Sequence, residues 1–192
     1  MVRDRARAAG HATDRALRAA ILAVVAEGVR QRNPGAVANG LVAFVATFLP
    51  GVLGRRLGLA LGPLHRVWVS SAMLLHAAGM LGPYDDTWWW DHVTHTLSSS
   101  IVGAAAYLVA RRRGRDPTRA VVGATLGLGV LWEALEYAIH RAFRRVGLDP
   151  LLVNYGRKDT ALDLAYDAVG ALLVLTVGRS ALDDAIEDGE RD

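Results

Sequence analysis

The chain has 192 residues, 52% of them hydrophobic, with a formal charge of +3 and no cysteine. That length suits one domain, but the hydrophobic share exceeds what a soluble domain of this size carries, and the excess falls in blocks, which points to a bilayer. Without cysteine there are no disulfides, thiolate metal ligands or cysteine nucleophile, so any metal has to be held by His and carboxylate groups. Lys158 is the sole lysine among the 22 basic residues, a compositional bias that gives no reason to expect a nucleic-acid partner.

Apolar runs of about 17 to 25 residues mark membrane-spanning helices. The first, Leu17 to Val29, is short and interrupted by Glu27. Arginines before it and the apolar run Ala19 to Ala26 have the make-up of a leader, but the later blocks make the chain polytopic either way. The second run extends from Ala36 to Leu53 and contains Pro50, which a membrane helix accommodates when neighbours re-satisfy the freed carbonyl. Arg55 and Arg56 close it. A Gly/Leu-rich interfacial stretch leads into the third, Leu64 to Leu81.

Gly82 to Asp86 reads as a turn, and Trp88, Trp89 and Trp90 resemble an aromatic belt at headgroup level. The fourth helix runs from Asp91 to about Arg111, the fifth from Ala120 to His140 and the sixth from Thr160 to Val177. Gly123, Gly127 and Gly129 read as sites of close helix contact. The expectation is therefore an all-α, polytopic transmembrane bundle of about six helices, five if the first does not span. Residues 1–16 form an N-terminal segment, 17–178 the membrane domain and 179–192 a solvated, frayed acidic tail. Basic loops at the N-terminus, at Arg55/Arg56 and at Arg111 to Arg119 place both termini in the cytoplasm of a multi-pass cell-membrane protein. Arg141, Arg144, Arg145, Arg157 and Lys158 fall on the other side, against that rule.

The polar residues are arranged by helical spacing. Asp91 and His95 stand one turn apart at the start of the fourth helix, with Ser98 and Ser99 continuing inward. Glu133, Glu136 and His140 share a face at the end of the fifth, and Asp159, Asp163 and Asp167 form a stripe at the start of the sixth. His76 lies near the end of the third. The topology brings these groups to one membrane face. An ionised acid at the centre of a membrane helix costs about 2.5 to 3.5 kcal/mol on insertion scales, so six carboxylates have to be paired, protonated or metal-bound. Asp91, and Asp159 beside Thr160, also suit N-caps. His92 suits a headgroup-facing side chain and His76 a hydrogen-bonded core histidine.

Histidine is neutral near pH 7 unless a carboxylate raises its pKa, so negative charge is in excess and a divalent zinc, iron or manganese ion would remove it. The ligand set is then drawn from His76, Asp91, His95, Glu133, Glu136, Asp159 and Asp163, with Asp167 or His140 as acid/base. No nucleophile elbow, phosphate loop, zinc-protease helix or dinucleotide fingerprint is present.

H-x-x-G at His76 to Gly79, D-x-x-x-H at Asp91 to His95, E-x-x-E at Glu133 to Glu136, and repeated Asp before Gly170 resemble the VanZ-like and YjdF-like integral membrane proteins. The resemblance covers about Leu75 to Leu175. VanZ-like proteins usually carry Lys and Asn where this chain has His92 and Asp167. The likeness implies a multi-helix membrane fold around a polar site. Three functions fit these residues: a metal-dependent site acting on a lipid or lipid-linked head group, a proton- or cation-coupled transporter or relay, and a scaffold whose polar network specifies packing. Membrane lipids are the expected partners, and the oligomeric state is not legible.

Overall fold

A computed structural model describes residues 2–191, so Met1 and Asp192, the outer ends of the two terminal segments, lie outside the description. The described chain is helical throughout: α1 Val2–Arg30, α2 Pro34–Ala46, α3 Leu49–Leu57, α4 Pro63–Gly79, α5 Pro83–Asp86, α6 Trp90–Arg112, α7 Pro117–Arg145, α8 Arg157–Leu173, and α9 Arg179–Arg191 after a π-turn at Val174–Gly178. No strand occurs among the described residues, in keeping with the all-α expectation.

Four runs are long and apolar enough to cross a membrane: Pro34–Leu57, Trp90–Arg112, Pro117–Arg145 and Arg157–Arg191. They coincide with the second, fourth, fifth and sixth expected spans. The first and third expected spans also fold as helices. The first is absorbed into α1, whose N-terminal half is polar, and the third is α4, 17 residues long.

Pro50 does not sit inside a continuous helix. The chain turns at Thr47 and Phe48, so the proline falls in the first turn of α3, where its missing N–H is no loss. Arg18 Nη2 donates to the Thr47 carbonyl at 3.2 Å, satisfying a group freed by the break.

The chain divides into two compact units, Met1–Pro83 with Ser180–Asp192, and Tyr84–Arg179. In the first, α1, α2 and α4 pack together around Ile21, Ala43 and Ala77. Asp14 is buried there, ion-paired to Arg18 at 2.9 Å and accepting from Ser70 Oγ at 2.6 Å. The C-terminal tail, expected to be frayed, is instead helical in α9 and buries Leu182, Ala185 and Ile186. Its high amphipathicity supplies an apolar face that the acidic composition hides.

In the second unit α6, α7 and α8 pack against one another. Residues that share a level show their directions. His95 meets Asp167, Ser99 meets Gly170, and Gly103 meets Val174, so α6 and α8 run parallel. Gly129 faces Asp167 while Val121 and Thr125 face Gly103, so α7 runs the opposite way. Two glycines make this fit. A Cβ at Gly129 would overlap Asp167 Oδ2, and one at Gly170 would overlap Ser99 Oγ and lie 2.5 Å from the Thr96 carbonyl oxygen. Gly123 and Gly127, expected at close contacts, have nothing within 4 Å of a Cβ position; they lie on the outward side of α7.

Because the neighbours of Gly170 include backbone, they cannot yield, and Gly170→Ala is expected to destabilise by about 1–3 kcal/mol. Gly127→Ala, placed in open space, is expected to be neutral or slightly stabilising. Thermal melts in detergent compare the two, and equal melting temperatures would refute the packing role of Gly170.

Candidate metal centre

α6 starts at Trp90, with Trp89 as N-cap and no side chain capping it. Asp91 therefore does not cap the helix, as its position had suggested. It lies in the first turn, one helical turn before His95 on the same face, with its Oδ1 3.6 Å from His95 Nε2. Asp159 is likewise not a cap, because Gly156 holds the N-cap position of α8 without a side-chain bond. The φ of +106° at Gly156 explains why glycine sits there.

His95 is the centre of the arrangement. Its Nδ1 lies 3.2 Å from Asp167 Oδ1, so the tautomer that donates from Nδ1 to this carboxylate leaves Nε2 as the nitrogen able to take a metal. Nε2 faces Asp91 Oδ1 at 3.6 Å and Asp163 Oδ1 at 3.9 Å. One ligand atom each from Asp91, His95 and Asp163 lies within 4.8 Å of the others. Ligands held at about 2.1 Å in tetrahedral geometry stand about 3.4 Å apart, so only small side-chain shifts separate this set from coordination. Carboxylate, histidine and cation positions in a row are the usual way a protein orients a metal-binding imidazole.

Burial divides the carboxylates into a floor and a rim. Asp163 is 1% exposed, Asp167 5% and Glu133 7%, whereas Asp91, Glu136 and Asp159 are half-buried. Among the described residues neither oxygen of Glu133 has a hydrogen-bond partner, nor does Asp163 Oδ1. Asp163 lies in the electrostatic reach of His95, Asp91, Asp159 and Glu133. Glu136 lies in that of Glu133, His95 and Asp91, and accepts from Trp132 Nε1 at 2.9 Å. Six carboxylates thus share His95, with His92 in reach of Asp159, and buried charge left unpaired is strongly destabilising. A divalent cation would offset it.

The loops around the mouth are tied down. Tyr84 donates to Thr94 Oγ1 at 3.2 Å, and Thr94 donates to the Asp91 carbonyl at 2.8 Å. Burial pushes the Tyr84 phenol above its ordinary range, and the charges of Asp91, Glu136 and Asp163 add to the effect although its bond to Thr94 opposes it. Burial likewise raises Tyr155, helped by Asp85, whose Oδ1 accepts from its hydroxyl at 2.5 Å. Both phenols therefore remain donors across the physiological range.

The remaining sequence candidates fall elsewhere. His140 Nδ1 accepts the Asn154 N–H at 3.2 Å and anchors the α7–α8 loop. His76 belongs to the first unit, in the last turn of α4. His92, expected to face head groups, stacks on Tyr166 with ring centroids 4.3 Å apart. The part sequence reasoning missed is the support from Tyr84 and Thr94, for which the sequence carries no signal. Gly129, expected at a close helix contact, does meet Asp167, and Gly170, noted after the aspartate stripe, meets Ser99.

The chain belongs to a family described as Predicted membrane protein (DUF2238), whose model matches residues 14–184. No curated protein and no solved structure matches it.

Glu133 is buried, and among the described residues neither of its carboxylate oxygens has a hydrogen-bond partner. In metal-free protein Glu133→Gln, which can carry no charge, should therefore melt above the parent, by the equivalent of about 1–3 kcal/mol. A lower melting temperature for the variant would show that Glu133 is not an uncompensated anion.

Proposed function

We propose that this family member binds one divalent transition-metal ion through Asp91, His95 and Asp163 and acts with it on lipid or lipid-linked head groups at the surface of the cell membrane, with both termini cytoplasmic. The observation that carries the reading is the conjunction of His95 Nε2 with two facing carboxylates and a buried Asp163 oxygen that has no hydrogen-bond partner among the described residues. Zinc, iron and manganese suit mixed nitrogen and oxygen ligands better than calcium does. Such an ion supplies Lewis acidity. The polar site itself is what a VanZ-like or YjdF-like relationship implies.

The residues then have separate tasks. Asp167 holds the His95 ring and fixes its tautomer, a positioning role in place of the acid/base role its sequence position suggested. Glu133 and Glu136 stand ready to complete the ligand set or accept a proton. His140 keeps the loop beside the mouth in place.

Depth supports a head group. His95 is five residues from Trp90, so it lies about 7.5 Å along the axis from the start of α6. Trp88, 81% exposed, lies two residues before that start, and exposed tryptophans favour the membrane–water interface. A relay through the bundle fits less well, because it needs ionisable groups across the whole depth. Beyond Ser100 the buried positions of this unit are Gly103, Tyr107, Leu108, Ala110, Val121, Thr125, Ala171 and Val174, with no carboxylate or histidine among them.

Elemental analysis of the purified protein should find about one equivalent of zinc, iron or manganese, since a site of this kind holds a single ion. Asp163→Asn should abolish binding, and Asp167→Asn should weaken it about 10- to 100-fold by loosening the imidazole. A parent protein without transition metal would remove the proposal.

A further inference from the structure

The end of the second unit that carries the acidic floor also carries a basic rim. Arg144 and Arg145 end α7, and Arg157 and Lys158 begin α8. All four are exposed, and among the described residues none has a carboxylate within ion-pair distance. Nearby Arg141 reaches the Tyr137 hydroxyl at 3.4 Å. At the opposite end of α7, by contrast, Arg119 pairs with Asp116 at 3.4 Å.

Membrane topology does not account for this rim. Arg111, Arg112, Arg113 and Arg115 make the other end of the same bundle basic as well. The preference of Lys and Arg for the cytoplasmic side can explain one of two opposite ends. Helix electrostatics explain only half of the rim: Arg144 and Arg145 complement the negative end of α7, whereas Arg157 and Lys158 stand in the first turn of α8, where the dipole disfavours cations.

Apart from the exposed Asp149, the loop between the two pairs is largely apolar and outward-facing. Val146, Leu148, Val153 and Tyr155 are all exposed, as is Trp88. Tyr155 is held to Asp85 and Asn154 to His140, so the loop is fixed beside the mouth of the site. Apolar and aromatic groups flanked by unpaired cations suit the layer where acyl chains meet phosphates. A free anion would use the cations and leave the apolar loop without a role.

We propose that Arg144, Arg145, Arg157 and Lys158 attract the phosphates of anionic phospholipid head groups to the end of the bundle that carries the acidic site, so that the substrate class of the site is an anionic, phosphate-bearing lipid. The substrate assignment rests on the metal-site reading above, whereas the lipid binding does not.

The test is native mass spectrometry of the full chain in detergent, titrated with phosphatidylglycerol or phosphatidylcholine, with metal content measured in parallel. Phosphatidylglycerol should bind at least about tenfold tighter, the preference should shrink as salt rises, and inorganic phosphate at millimolar concentration should not displace it. Changing all four residues to Ala should bring phosphatidylglycerol down to the phosphatidylcholine level with metal content and melting temperature unchanged. Equal binding of the two lipids by the parent, an unchanged preference in the variant, or displacement by inorganic phosphate would overturn the proposal. Retained preference in a parent that holds no metal would sustain the lipid binding and remove the metal reading.

Discussion

The contact between His95 and Asp167 organises the second unit. It joins α6 to α8 at one level, orients the imidazole, and turns the other nitrogen toward Asp91 and Asp163. It forms only because the helices approach closely, and they do so because positions 129 and 170 lack a Cβ. Helix association in a membrane gains nothing from hydrophobic burial against lipid, so close packing over small residues and polar contacts between helices carry the stability. Here the two are coupled. The same glycines that let the backbones meet leave room for the carboxylate that orients the histidine.

Much of this was legible in the residue order. Spacing of four put Asp91 with His95 and aligned Asp159, Asp163 and Asp167, while alternating helix direction placed both sets and Glu133 at one end of the bundle. These are consequences of helical period and topology, which a sequence specifies well. Which carboxylate would face which nitrogen is not a matter of period. It depends on helix rotation and separation, set by contacts such as Gly170 with Ser99 and Gly103 with Val174. Hence Asp167 could be read as an acid/base, although its oxygen is the one against Nδ1, and Asp91 as a cap, although its oxygen faces Nε2.

The other differences share a cause: local composition was read without its partners. Pro50 looked tolerable within one long span, but a break at Thr47 costs less because Arg18 reaches across to the freed carbonyl. The acidic tail looked solvated, yet Leu182, Ala185 and Ile186 recur at a spacing that gives α9 one apolar face to bury. Gly123, Gly127 and Gly129 looked equivalent, but with 3.6 residues per turn they cannot all face the same neighbour. Only Gly129 does.

An acidic floor and a basic rim at the same end of one bundle look contradictory if charge is summed over the unit. They are consistent once depth is considered. The carboxylates at Asp163, Asp167 and Glu133 are nearly enclosed, where water screens little and charge has to be balanced by a partner within a few ångströms. The arginines and the lysine are exposed, where their field is screened within about 8 to 10 Å and acts on whatever lies in the head-group layer. Each sign therefore selects a different partner at a different depth. In the proposed reading the buried carboxylates take a small divalent cation, which fits between side chains this close. The exposed cations call for an anion outside the bundle. A phosphate drawn to the rim would meet a positively charged ion at the mouth in place of bare carboxylates. On the proposed reading a bound metal would make an anionic head group compatible with so acidic a site.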